Sequence, residues 1–263
     1  MYQNYTKFLW LLKLGCLTNL YFILNTLLLT SAKADSYIFV PALVLFVVSA
    51  YRCLFPVRYE NNVVFHDSVF SSIFVTRLLA TFSEISYIYL FSQVLRQLNV
   101  EQVGWITLLS WLMVVQVVIS QTFVWAAVLT GRLMLYFYEE LGWALLFIAN
   151  TVASAYLYRG AEAFTDSHIL LELNLIFSAV YLPWQFFHLR FLRGNAQQDS
   201  AIVVPSTLLS QLVAGLNRAM RVKNRRADAQ SWGGWIGLSW MTAYWATLIP
   251  GWVYYISKIL HAQ

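Results

Sequence analysis

Charged residues are scarce in this chain, and cysteines and clustered histidines are nearly absent. Lys, Arg, Asp and Glu make up 11% of its 263 residues, whereas a soluble domain carries about 25%. The two cysteines, Cys16 and Cys53, lie apart within apolar sequence and indicate neither a disulfide framework nor a thiolate metal site. The histidines are scattered singly, as His66, His168, His188 and His261, which excludes desaturase-type histidine clusters and the Glu-x-x-His pairs of di-iron bundles.

Several nucleotide-binding and hydrolytic signatures are missing as well. The sequence has neither a phosphate-binding glycine loop nor a Gly-x-Ser-x-Gly nucleophile elbow. Lys258 lies at the edge of the last apolar segment, whereas a retinal protein needs a lysine deep within that span. Catalytic residues and cofactors therefore stay unknown, and no metal site is predicted.

Long apolar segments dominate the chain. Hydrophobic residues make up 60% of it, and the mean hydropathy is +0.61. A helix needs about 20 apolar residues to cross a bilayer, and seven segments meet this length: 8–30, 37–55, 68–95, 104–129, 133–157, 168–190 and 233–257. The sequence predicts an all-α, polytopic helical transmembrane bundle of about seven spans, with residues 1–263 as a single transmembrane domain.

Basic residues predict the orientation of the spans. With seven spans, one side of the membrane receives eleven of them: Lys7, Arg52, Arg58, Arg132, Arg190, Arg193, Arg218, Arg221, Lys223, Arg225 and Arg226. The opposite side receives little beyond Lys33, Arg96, Arg159 and Lys258. Since basic loops stay in the cytoplasm, we expect a cytoplasmic N-terminus and a C-terminus on the opposite side, in a bacterial inner membrane or an organelle membrane.

The first apolar segment allows a second interpretation. Lys7, the apolar run and Ala32-Lys33-Ala34 resemble the parts of a cleavable signal peptide. The apolar run is longer than a usual signal core and contains Lys13, Asn19 and Asn25. Retention of residues 1–34 as a span is therefore the preferred interpretation, and cleavage stays open.

The hydrophilic region 194–231 predicts an amphipathic helix between spans six and seven. Five apolar residues recur there at helical spacing behind a Ser206-Thr207 cap: Leu209, Leu212, Val213, Leu216 and Met220. Basic residues follow at its end. This pattern is typical of a helix in the cytoplasmic headgroup layer, bound to membrane lipid. Simple anchoring of the loop is preferred over partner binding, and nucleic acid is not an expected partner.

Polar residues inside the spans are the candidates for a ligand or proton site, because ionisable groups at membrane depth face the bundle interior or water. Asn174, Ser178, Tyr181, Gln185 and His188 follow one another at steps of three or four in the sixth span, which places them on one helical face. The complete candidate set is Arg77, Glu84, Glu139, Glu140, Asn174, Tyr181, Gln185 and His188.

Depth along the helices suggests which candidates meet. Arg77 lies roughly 15 Å into the third span, and Glu139 and Glu140 lie roughly 10 Å into the fifth, at 1.5 Å per residue. We expect either glutamate to pair with Arg77, close to Gln185 and His188. The alternative is that these groups only hold helices together, with His188 a simple interfacial residue.

Three classes of function remain open. The preferred one is an integral membrane protein that binds or transports a small or lipidic ligand at the polar cluster, with or without proton coupling. The second is a structural or assembly subunit of a larger membrane complex, with partner membrane subunits or copies of itself. The third is a membrane enzyme that acts on a lipidic substrate, with Glu139, Glu140 or His188 as acid or base.

Overall fold

The computed structural model describes residues 4–29, 36–161, 165–199 and 207–262. The α-helices of this part are α1 Thr6–Leu12, α2 Leu14–Leu29, α3 Ser36–Leu54, α4 Ile73–Leu98, α5 Gly104–Thr130, α6 Met134–Gly160, α7 Asp166–Asp199, α8 Leu208–Arg221, α9 Gly234–Met241 and α10 Leu248–Ala262. Three short strands accompany them: β1 Val57–Arg58, β2 Val63–Val64 and β3 Asn224–Arg225. The chain is thus a helical protein, as its apolar runs predict.

Six helices within the described residues are long and apolar enough to cross a membrane. The first covers Thr6–Leu28, across the short break between α1 and α2, and the others are α3 to α7. Many of their large apolar side chains are exposed, such as Leu17, Val118 and Val180. Exposed apolar side chains all along such helices suit a lipid surrounding, so the chain is an integral membrane protein by length and composition.

Helix boundaries differ from the predicted spans at three places. The third span begins at Ile73, not at residue 68, because Val69–Ser71 forms a 3-10 turn. α7 continues to Asp199, nine residues past the predicted end of the sixth span. The predicted seventh span, 233–257, is divided into α9, a π-helical segment Thr242–Ala246 and α10.

Pro250 gives a physical reason for that division. A proline has no backbone N–H to donate to the carbonyl four residues before it, and its ring crowds that carbonyl. The carbonyl in question belongs to Ala246, at the end of the π-helical segment. The neighbouring Trp245 carbonyl accepts a hydrogen bond from Asn19 Nδ2 at 2.9 Å, so a side chain of α2 replaces a helical donor there.

The chain divides into two compact units. Unit 1 comprises residues 1–87 and 207–263, and unit 2 comprises residues 88–206. The expectation of a single transmembrane domain stays a prediction.

Unit 1 contains a small sheet in the order β1-β2-β3. β1 and β2 are antiparallel, and β3 runs parallel to β2, with Val63 opposite Asn224. Asn61 and Asn62 form the turn between β1 and β2 with positive φ angles of 58° and 53°, a conformation that asparagine tolerates better than most residues. The N-terminal segment joins this assembly, since Tyr5 N donates to Ala227 O at 2.7 Å.

The last segment of unit 1 runs beside the first one, in the same direction. Trp235 packs against Tyr5 and Phe8 at the start of α1, with ring centroids 5.7 and 5.5 Å apart. Farther along, Tyr254 stacks on Phe22 of α2 at 4.4 Å. Contacts with α3 complete this packing, for example between Cys53 Sγ and the Trp245 carbonyl at 3.4 Å.

Unit 2 consists of the last part of α4 with α5, α6 and α7. Gly131, with φ 75°, ends α5 and allows the tight turn into α6. Gly142 lets α5 and α6 come close, because a Cβ there would lie 2.2 Å from Ser120 Oγ and 2.5 Å from Gln116 Nε2. α5 and α6 thus form an antiparallel pair joined by a short turn.

Candidate functional site

The interface between α6 and α7, hereafter the α6–α7 seam, holds most of the predicted polar residues of unit 2. Gln185 of α7 contacts Glu140 of α6, and Asn174 contacts Ser154. Residue numbers thus rise along one helix as they fall along the other, so the two helices are antiparallel. The periodic polar face of α7 is turned towards α6, because Asn174, Ser178 and Gln185 are fully buried.

One end of the seam is a cluster around Glu140. Gln185 Nε2 donates to Glu140 Oε2 and to the Glu140 backbone carbonyl, both at 2.7 Å. His188 Nε2 lies 3.6 Å from Glu140 Oε1, too far for a direct hydrogen bond but within reach of an ion pair. The Trp184 ring stacks on the His188 ring with the centroids 4.8 Å apart and covers one face of the imidazole. The structure therefore joins the carboxylate, amide and imidazole that the sequence placed near each other.

His188 does not lie at a helix end. α7 continues to Asp199, about three turns beyond His188 at 3.6 residues per turn. The side chain is 17% exposed and Glu140 is 14% exposed. The helix thus continues past His188, and the placement of this residue within the bundle stays a prediction.

A second group of polar side chains lies farther along the seam. Asn174 Nδ2 donates to Ser154 Oγ at 3.3 Å, and Asn150 and Ser178 are completely buried. Tyr181 separates this group from the Glu140 cluster. Its ring packs on Phe147 at 4.5 Å and on Phe177 at 5.6 Å, so aromatic rings narrow the seam between its two polar ends.

Both polar groups contain buried atoms without a hydrogen-bond partner in the described part of the chain. These atoms are Asn150 Nδ2 and Oδ1, Asn174 Oδ1, Ser178 Oγ, Gln185 Oε1 and His188 Nδ1. A buried polar group left unsatisfied costs about 1–3 kcal/mol, and membrane proteins have no lipid-side water to relieve it. These atoms therefore need hydrogen-bond partners that the described residues do not supply.

Arg77 and Glu84 form a different pair, in unit 1. Arg77 Nη2 donates to Glu84 Oε2 at 2.5 Å, and the side chains are 2% and 9% exposed. Both residues belong to α4, seven positions apart, or about two helical turns. Glu84 is thus a partner of Arg77 that sequence reasoning did not assign. Glu139 is buried in α6 of unit 2, and pairing of Arg77 with Glu139 or Glu140 stays a prediction.

The structure also places Arg52 differently from the sequence analysis, which counted it as a loop charge. Arg52 belongs to α3 and is only 5% exposed. Its guanidinium lies 5.0 Å from the Trp245 ring and 5.2 Å from the Tyr59 ring. Only its position before the end of a predicted span could have suggested burial.

Relationships to known proteins add nothing to this geometry. Comparison with protein-family models, with curated proteins and with solved structures gives no match.

Proposed function

We propose that this integral membrane protein binds a small polar ligand, or the polar end of a lipidic one, in the α6–α7 seam and couples its passage to a proton. The observation that carries the proposal is the set of buried, unpaired polar atoms along the seam. Helices joined only by polar contacts would be expected to pair such groups with each other. Here the side chains of Asn150 and Ser178 are buried, and no side chain or backbone group among the described residues forms a hydrogen bond with them.

Glu140 and His188 are the groups that would exchange the proton. A carboxylate and an imidazole 3.6 Å apart can pass a proton between them once they approach to hydrogen-bond distance, and histidine is the side chain that most often carries out such steps. Gln185 holds the second oxygen of Glu140 and so orients the carboxylate towards the imidazole. Tyr181 lies between this proton site and the Asn150–Ser178 group, where its hydroxyl suits a step between them.

The topology that supports this proposal has seven crossings. The N-terminal segment, β1-β2 and β3 meet in one small sheet region, so they share one side of the membrane. Two candidate spans lie between the N-terminal segment and β1-β2, and four lie between β1-β2 and β3. Both counts are even, as they must be for segments on the same side of a membrane. The α9–α10 segment then follows α1–α2 from Trp235 to Tyr254, and we infer that it forms the seventh crossing as a broken helix.

The cytoplasmic side is assigned to the sheet and α8 from their charge. Thr207 caps α8, since its Oγ1 accepts from Ser210 N at 3.3 Å, as the sequence predicts for that position. Ser206 lies outside the described residues. Leu209, Val213 and Met220 are at least half exposed, and Arg218 and Arg221 end the helix. An open apolar face with a basic end suits the anionic cytoplasmic headgroup layer.

Proton flux into proteoliposomes tests the proposed function. The protein would be reconstituted, a pH gradient imposed and the internal pH followed with a trapped dye. We expect Glu140→Gln and His188→Gln to reduce the flux at least about tenfold, because each removes one proton-exchanging group, and general acid–base groups contribute about 10²–10⁴-fold to proton transfer.

Matched controls are available on α7 itself. Glu172 is exposed, and His168 packs its ring on Tyr158 near the other end of the helix. Glu172→Gln and His168→Gln should leave the flux unchanged. If Glu140→Gln and His188→Gln also fold normally and keep the full flux, the seam holds helices together only, and the assembly-subunit class replaces the proposal.

A further inference from the structure

A second set of unpaired buried donors lies in unit 1, around Arg52 and Tyr59. Arg52 Nη2 donates to the Val57 carbonyl at 3.2 Å. Its Nε and Nη1 are buried without a hydrogen-bond partner in the described residues, and the Tyr59 hydroxyl shares this condition. No ion pair joins Arg52 to a carboxylate anywhere in the described chain. A guanidinium cannot lose its proton in a protein, so Arg52 is a buried cation.

Aromatic contacts compensate only part of that charge. The Arg52 guanidinium carbon lies 5.2 Å from the centroid of the Tyr59 ring and 5.0 Å from that of Trp245. Cation–π contacts of this kind stabilise a cation by much less than its removal from water costs. The remaining cost favours an anion that accepts from the unpaired donors.

Arg77 contacts the same aromatic ring. Its guanidinium carbon lies 5.3 Å from the Tyr59 ring, so two buried cations contact one aromatic side chain. Arg77 already holds Glu84, which leaves the unpaired donors of Arg52 and Tyr59 to receive a further acceptor. Arg58, on β1, uses its guanidinium on Glu60 and on the Ser231 carbonyl and is not part of this set.

We propose that Arg52 and Tyr59 bind a phosphate group that carries one negative charge. Arg52 lies about 3 Å before the end of α3, and Arg77 about 6 Å after the start of α4, at 1.5 Å per residue. Both residues therefore lie near the ends of candidate membrane spans, and the ends of spans adjoin the polar headgroup region of a bilayer. Arginine binds phosphate strongly through charge-assisted hydrogen bonds, and the phosphodiester of a phospholipid and free dihydrogen phosphate present the same chemistry. The site is independent of the α6–α7 seam.

Two measurements on the purified full-length protein distinguish the sources. Native mass spectrometry detects a retained phospholipid, and thermal unfolding after delipidation compares sodium phosphate with sodium chloride at equal ionic strength. The variants are Tyr59→Phe, which keeps the stacked ring and removes one donor, and Arg52→Lys, which keeps the charge and removes the Nη1 donor. Arg132→Lys, in an exposed turn, is the matched control.

We expect the wild type and Arg132→Lys to bind phosphate as a retained phospholipid, as a phosphate-specific rise in unfolding temperature, or as both. A lipid source gives the adduct, and a free phosphate source gives the thermal shift alone. Tyr59→Phe should bind about tenfold more weakly, the effect of losing one hydrogen bond to a charged group, with its basal stability in chloride unchanged. The proposal is overturned if the wild type shows neither signal, or if Tyr59→Phe and Arg52→Lys both retain the wild-type signal in full.

Discussion

At the scale of single residues, Gly15 has a steric role that only the structure reveals. A Cβ at this position would lie 2.5 Å from Ala246 Cβ, 2.9 Å from Ala246 Cα and 2.8 Å from Cys53 Sγ. Gly15 thus lets α2 approach the π-helical segment closely enough for Asn19 to reach the Trp245 carbonyl. The small size of Gly15 and the side-chain amide of Asn19 together position the π-helical segment Thr242–Ala246 against α2.

Gly15→Ala should therefore destabilise unit 1. The added Cβ would force α2 and the π-helical segment apart. Overpacking of this kind lowers the free energy of unfolding by about 1–3 kcal/mol. Gly251→Ala in α10 is the matched control, because a Cβ there meets nothing within 4 Å and alanine favours a helix by up to about 1 kcal/mol. Thermal unfolding in detergent should show a lower unfolding temperature for Gly15→Ala and an equal or higher one for Gly251→Ala. Equal stability of both variants would contradict this packing.

At the scale of elements, sequence periodicity predicted most helices but not their interruptions. Hydropathy located α3, α5 and α6 within a few residues, because a long continuous apolar run that crosses a membrane must satisfy its own backbone hydrogen bonds and so forms a helix. The period of three to four placed Asn174, Ser178 and Gln185 on one buried face of α7. It did not predict the π-helical segment, although Pro250 marked a local weakness, because the compensating donor Asn19 lies over two hundred residues away.

The small sheet was not predicted either. Its strands have two residues each, too short to show alternation, and they pair through contacts distant in sequence. One of these contacts fixes α8: Asn62 Nδ2 donates to the carbonyls of Arg218 and Val222, each at 3.2 Å. This side chain of the turn gives the Val222 carbonyl, just past the helix end, a donor that the helix does not supply. It is a second donor for the Arg218 carbonyl, which already accepts from Val222 N at 2.8 Å.

Replacing Asn62 by glycine should loosen the end of α8. Asn62→Gly keeps the positive φ angle and removes both hydrogen bonds, each of which contributes about 0.5–1.5 kcal/mol. Trypsin should then cleave faster after Arg218 and Arg221 than in the wild type. Asn61→Gly, in the same turn with an exposed side chain, should leave the rate unchanged. Cleavage at one rate in both variants would mean that Asn62 does not secure the helix.

At the scale of the whole molecule, the charge of the loops and the small sheet favour the proposed topology of seven crossings with a cytoplasmic N-terminus. Cysteine labelling in intact membranes tests it, with Cys16 and Cys53 replaced by alanine. Gln230→Cys and Arg132→Cys should react only from the cytoplasmic side, and Glu101→Cys and Lys258→Cys only from the opposite side. Labelling of Gln230→Cys from outside would reverse the orientation, and labelling of Lys258→Cys from the cytoplasm would remove the seventh crossing.

The central claim is that the α6–α7 seam is a polar passage and not a dry helix contact. Reaction of Ser178→Cys with a small, water-soluble methanethiosulfonate reagent tests it most directly, in the same cysteine-free background. Ile176→Cys is the control, because Ile176 is an apolar residue of α7 that is 54% exposed on the surface of the helix, where lipid keeps the thiol protonated and unreactive. The account predicts modification of Ser178→Cys, despite its complete burial, and no modification of Ile176→Cys. A Ser178→Cys variant as unreactive as Ile176→Cys would contradict it.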